Sequence, residues 1–179
     1  RIAPAIGLLL AAGLALLCPT PAPAVITRLT PLAEILSGQE FIFTATIEKV
    51  DPAIPGIVLN VGDNLKGKVP FMRMPVNMTG DSEAAKEKHP EQLFKRVKPN
   101  LSVLVFASGR GKKYTAFVYT DGTWFQILGR KDGDKTTVSL AHGEPYLRRT
   151  FKGTTAELKQ IIVDGLANKK EPPKPNEKE

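Results

Sequence analysis

Cysteine is almost missing from this chain. The one cysteine, Cys18, lies in an N-terminal apolar segment. Residues 25–179 therefore offer no disulfide, no thiolate metal site and no cysteine nucleophile. Small exported domains often lean on disulfides; this one has to close its core by packing alone. Histidine is scarce as well, with His89 and His142 the two present. No H-E-x-x-H and no G-x-S-x-G occurs, which removes the zinc-protease and serine-hydrolase signatures. His142-Gly143-Glu144 matches the H-x-E of zinc deaminases, but the C-x-x-C that completes such a site is absent. Gly109-Arg110-Gly111-Lys112-Lys113 has glycine and lysine without phosphate-loop spacing or a following Ser/Thr. It reads as a hairpin turn. No metal site, no cofactor and no catalytic residues are expected.

A long apolar run is lacking too. The run from Ala5 to Leu17 is shorter than the roughly 20 residues that cross a bilayer as a helix. It follows Arg1 and precedes Pro21-Ala22-Pro23-Ala24, and this order of positive end, apolar core and small residues is that of an export signal. Residues 1–24 are expected to be a signal peptide cleaved near Val25, which places the protein in the periplasm or outside the cell. The alternative is an uncleaved N-terminal membrane anchor, the one case in which membrane contact is expected. Cys18 follows Ala15-Leu16-Leu17, a poor lipidation context, and is read as a bystander.

What is present reads as one domain over residues 25–167, long enough to bury its own core. Thr30-Pro31 opens a short helix to about Ser37, with Gly38 past its end. Phe41, Phe43, Ala45 and Ile47 alternate with Ile42, Thr44, Thr46 and Glu48, and Ile57, Leu59 and Val61 alternate again. A third extended stretch spans 69–78, where Pro70 and Pro75 point to an edge or irregular strand. Asp81 or Ser82 can cap a helix, and Leu93, Phe94 and Val97 form a short stripe at helical spacing. His89, before Pro90, reads as solvated or helix-capping. Residues 101–140 form a meander, with turns at Ser108–Gly111, Asp121-Gly122 and Asp132-Gly133. Trp124 and Phe125 fall on opposite faces, one for the core and the other for a surface contact. A last helix starts at Thr154 with Glu157 at the capping-box spacing, and Leu158, Ile161, Ile162 and Leu166 make its apolar face. Residues 168–179, rich in Lys, Glu and Pro, are expected to be a disordered tail.

Phe43-Thr44-Ala45-Thr46-Ile47-Glu48-Lys49-Val50, then Val58-Leu59-Asn60-Val61 leading to Leu65-Lys66-Gly67, then 69–76, resembles bacterial exported relatives of the netrin and metalloproteinase-inhibitor domains. Residues 101–107 resemble their later strand. The resemblance covers about half the chain and implies a small, mainly β, antiparallel OB-like Greek-key barrel. A short helix would lie between strands 3 and 4, and an amphipathic helix would close the C-terminal side. The cysteines of the animal members are absent, so protease inhibition is not implied; a binding module is.

The formal net charge is +7, and Arg1 is the single charge within residues 1–24. A basic surface attracts anions. No Lys/Arg run with interleaved aromatics is present, so nucleic acid is not the expected partner. The densest polar group lies between the last strand and the last helix: His142, Glu144, Tyr146, Arg148 and Arg149, with Lys152 close by. Of these, His142, Tyr146, Arg148, Arg149 and Lys152 are the candidate anion-binding residues, set before a helix N-terminus that already favours anions. The function expected is an exported, non-enzymatic binding or structural module of the cell envelope. Its partner would be a protein or an anionic envelope polymer. The alternative is a hydrolase-like enzyme with a site around His142 and Glu144.

Overall fold

Seven strands close on themselves in the order β1-β2-β3-β7-β6-β5-β4, in a computed structural model that describes residues 29–177. The expected signal peptide lies outside the described residues. Helix α1 (Leu32–Gly38) precedes β1 (Phe41–Asp51), β2 (Gly56–Lys66) and β3 (Arg73–Asn77). Two short helices follow, α2 (Ser82–Lys86) and α3 (His89–Phe94). Then come β4 (Ser102–Arg110), β5 (Lys113–Thr120), β6 (Thr123–Asp132) and β7 (Lys135–Gly143). A 3-10 turn (Pro145–Arg149) leads to α4 (Thr155–Leu166).

The barrel is not wholly antiparallel, which corrects the expectation. β3 and β7 run parallel and meet at Asn77↔Ser139. The reason is the path between them: α2 and α3 carry the chain across the barrel's end, so the four-strand meander returns to β3 in the same direction. The third extended stretch is also shorter than its sequence pattern, at Arg73–Asn77. Pro75 pairs with Val58 of β2 and lies above the β3–β7 meeting point, where its missing N–H breaks no ladder.

Alternation on the strands splits the apolar residues between two cores. Phe43, Ala45, Ile47, Val105, Val118, Phe125 and Ile127 point inward and pack in the barrel's interior. Ile42, Leu104, Phe106, Tyr119 and Trp124 point outward and meet Leu32, Ile35, Leu36, Leu158 and Ile162 of α1 and α4. The strand face that would otherwise be wet is therefore covered by two helices. Trp124 and Phe125 are both buried, at 2% and 0% exposure, one in each core. The surface contact expected of one of them does not exist, because α4 covers the outer face. Trp124 also donates from Nε1 to the Phe151 carbonyl at 2.8 Å.

Local chemistry sets the element ends. Asp81 caps α2, accepting from the Ala84 N–H at 2.8 Å. Thr154 and Glu157 form a reciprocal capping box on α4. Asp121 and Gly122 adopt φ of +38° and +79°, so β5 and β6 join through two left-handed residues, as an Asp-Gly hairpin requires. No helix among the described residues is long and apolar enough to cross a membrane.

Candidate functional site

The barrel has two unlike ends. The lower end carries the β5–β6 turn, the start of β4 and the close of β7. There α3 plugs the interior, with Leu93 and Val97 joining the inner core. The chain between α3 and β4 then presents Lys95, Arg96 and Lys98 beside the turn Thr120–Thr123. Arg148 and Lys152 arrive from the other side, on the segment leading to α4. Together they line a groove of about 480 Å³. Five cationic side chains from two distant stretches thus face one volume. Its acidic residue, Asp121, is already engaged: its carboxylate accepts from the Thr155 N–H at 2.9 Å and the Thr155 hydroxyl at 3.0 Å.

That engagement alters the reasoning about the helix N-terminus. The first N–H groups of α4 are taken by Asp121 and by the Thr154 hydroxyl, which accepts from Glu157 N–H at 3.2 Å. Attraction in the groove therefore comes from side-chain charge rather than from open helix donors.

The five candidate residues do not stay together. Arg148 and Lys152 reach the groove. Arg149 turns away: its guanidinium donates to the carbonyls of Asn176 and Glu177 at 3.2 and 2.8 Å, drawing the segment after α4 back onto the 3-10 turn. His142 is fully buried at the end of β7 and faces Glu144, with Nε2 and Oε1 2.9 Å apart. It is no part of a surface anion site, because β7 carries it inside before the connector begins. The Tyr146 side chain lies outside the described residues.

The His142–Glu144 pair is a separate feature. The hydrogen bond to Glu144 raises the His142 pKa; burial opposes this, and the charges of Glu144, Asp81 and Glu83 add to the rise. His142 Nδ1 and Glu144 Oε2 are buried with no hydrogen-bond partner among the described residues. Glu144 borders a smaller cavity of about 120 Å³ that shares Arg96, Thr123 and Arg148 with the basic groove. His89 is half-buried and does not cap α3, whose N-cap is Lys88: its Nδ1 accepts the Gly143 N–H at 3.1 Å and so ties α3 to β7. Among the described residues no group of three or more His, Cys, Asp or Glu could hold a metal ion.

Lys95, Arg96 and Lys98 were missed by reading the sequence, which absorbed them into a helix packing through Leu93, Phe94 and Val97. The signal available was the alternation Lys95-Arg96-Val97-Lys98, one buried residue within three exposed cations. Comparison with protein-family models, curated proteins and solved structures finds no match for this chain.

Proposed function

We propose that this chain is an exported, non-enzymatic binding module with an OB-like barrel, and that its lower groove holds an anionic group of an envelope polymer or partner protein. The observation that carries this reading is the meeting of Lys95, Arg96, Lys98, Arg148 and Lys152 around one groove whose carboxylate is tied to Thr155. Cations gathered in a concavity focus the field more than the same charges scattered over a surface. The OB-like part of the proposal draws on strand order: a helical segment between β3 and β4, and a final strand returning parallel to β3.

Binding of the purified domain to dextran sulfate, followed across a salt series, tests the reading. Affinity is expected to fall as salt rises, since exposed charges are screened over about 8 Å at physiological ionic strength. Arg96→Ala with Arg148→Ala should weaken binding far more than Lys112→Ala with Lys113→Ala, which lie at the opposite end of the barrel. Arg148→Ala should account for nearly all the loss seen in Arg148→Ala with Arg149→Ala. Equal losses from the upper and lower pairs would reduce the attraction to net charge and remove the groove from the proposal.

The enzymatic alternative has one observation in its favour, the unpartnered Glu144 oxygen beside the small cavity. Hydrolytic turnover that survives repurification and vanishes in Glu144→Gln would support it over the binding reading.

A further inference from the structure

The upper end of the barrel is closed by less than the lower. No helix enters it. The chain between β2 and β3 crosses it instead, and Phe71 stands edge-on to Phe43 at 6.1 Å. The wall is incomplete as well: β3 and β7 meet at Asn77↔Ser139, and above that point Arg73–Val76 and Lys135–Val138 share no ladder. Behind this gap lies a cavity of about 520 Å³, walled by Phe43, Val105, Ala116, Ile127 and Val138. Tyr114 does not fill it. A Cβ at Gly109 would sit 2.9 Å from the Tyr114 ring, so the ring is packed against that glycine.

Two properties of this cavity select a ligand. Its floor is hydrocarbon, from Phe43, Val105, Ala116, Ile127 and Val138, and the polar side chains among its lining residues, Arg73, Tyr114, Lys131, Asp134 and Thr136, come from strand ends and turns at the mouth, so a polar atom carried to the floor would lose water without compensation. Its rim is cationic. Segments 66–73, 110–113 and 130–135, at this end of the barrel, carry nine Lys/Arg against two Asp; Lys66 among them is turned to the Leu36 and Ser37 carbonyls, and Glu40 adds one carboxylate near Gly109. Arg73 is neutralised by a bidentate pair with Glu48, at 2.7 and 2.6 Å. Lys131 lines the mouth, and its ammonium makes no hydrogen bond or ion pair among the described residues. Asp134 lines it too, but the surrounding excess is positive. Met72, beside Phe71, stands 72% exposed at the entrance.

We infer that the upper end of the barrel is a binding site for an anionic amphiphile: an unbranched acyl chain enters the cavity between β3 and β7, and its carboxylate stays at the rim beside Lys131. A cavity of this size falls within the roughly 300–1,000 Å³ of small-molecule sites, which are mostly apolar with few polar groups. The site lies opposite the basic groove and does not depend on it.

Titration calorimetry of the intact protein with octanoate, decanoate and dodecanoate, each below its micelle concentration, tests the inference. Affinity should rise about fourfold per added methylene until the cavity is full. Dodecyltrimethylammonium, with the same tail and the opposite head, should bind about tenfold more weakly or worse. Val138→Trp should abolish dodecanoate binding by filling the entrance, and Lys131→Glu should weaken it. Arg96→Ala with Arg148→Ala should leave it unchanged, which keeps this site's fate separate from that of the groove. No binding of dodecanoate, affinity independent of chain length, or equal affinity for the two head groups would each overturn the inference. These three results come from the unaltered protein, so they decide the matter even if Val138→Trp fails to fold.

Discussion

Tyr119 is the side chain whose loss the structure specifies most closely. It is fully buried on the outer face of β5, with its ring 4.6 Å from Trp124 and 5.6 Å from Phe151. Its hydroxyl donates to the Gly153 carbonyl and accepts the Gly122 N–H at 2.8 Å. One oxygen thus joins the β5–β6 turn to the chain entering α4. Tyr119→Phe keeps the ring contacts and removes that oxygen, leaving a donor and an acceptor without their partner. Each buried unpaired group costs about 1–3 kcal/mol; because both glycines are half-buried and water can reach them in part, the expected total is about 2 kcal/mol. Thermal unfolding should fall by about 4–8 °C in a domain of this size. Burial, the largest influence, pushes the Tyr119 pKa up to about 12. A raised pKa means the neutral form is favoured in the fold, so its stabilisation is complete below the unfolded value near 10 and is lost as pH climbs toward 12. Two pKa units correspond to about 3 kcal/mol. Urea unfolding at neutral pH gives the first quantity. Absorbance at 295 nm gives the second, as a late-titrating tyrosine that Tyr119→Phe lacks. A stability loss under about 0.5 kcal/mol, within the range of an ordinary surface change, would refute the bridging role.

Three further outcomes follow from the same geometry. The raised His142 pKa stabilises the fold below the ordinary value of 6.5, and that contribution is lost as pH rises through the raised pKa; urea midpoints should fall from mildly acidic to alkaline pH, and Glu144→Gln should flatten the trend. Thr154→Ala removes the hydroxyl that accepts the Glu157 N–H and donates to the Glu157 carboxylate, while the Thr154 backbone N–H keeps its bond to that carboxylate, and denaturant unfolding should show a loss of about 1 kcal/mol. Gly122 and Gly111 both have positive φ, but a Cβ at Gly122 would lie 3.1 Å from the Lys152 carbonyl whereas one at Gly111 meets open space. Gly122→Ala should therefore cost more in a melting experiment than Gly111→Ala, which pays only the left-handed backbone term of about 1–2 kcal/mol.

Much of the architecture was legible because its signals are local. Period-two alternation marked β1, β2 and the meander, Asp121-Gly122 marked a hairpin, and Thr154 with Glu157 marked the start of α4. The parallel pairing of β3 with β7 was not legible. It depends on how α2 and α3 carry the chain past the barrel's end, and no residue in β3 records its neighbour. The surface contact expected of one of Phe125 and Trp124 fails for a related reason, at Trp124. Alternation says that it faces away from Phe125, but whether that face meets water depends on α1 and α4, which are far away in sequence.

The site divides along the same line. Arg148 and Lys152 were visible as charges near a helix start, and two of the residues grouped with them, His142 and Arg149, do not reach the groove. Strand geometry takes His142 inside, and the segment after α4 occupies Arg149. Their true companions are Lys95, Arg96 and Lys98, about fifty residues upstream. Those cations reach the groove because α3 and the turn after it seal the barrel's lower end with Leu93 and Val97: burying those two positions leaves Lys95, Arg96 and Lys98 exposed. The same plug accounts for the contrast between the ends. Where α3 fills the interior, the chain's chemistry is confined to a charged surface groove. At the other end, where no helix among the described residues enters, Phe43, Val105 and Ile127 border a cavity beneath the basic strand ends. One helix inserted at one end therefore leaves this barrel with a polar recess below and an apolar one above.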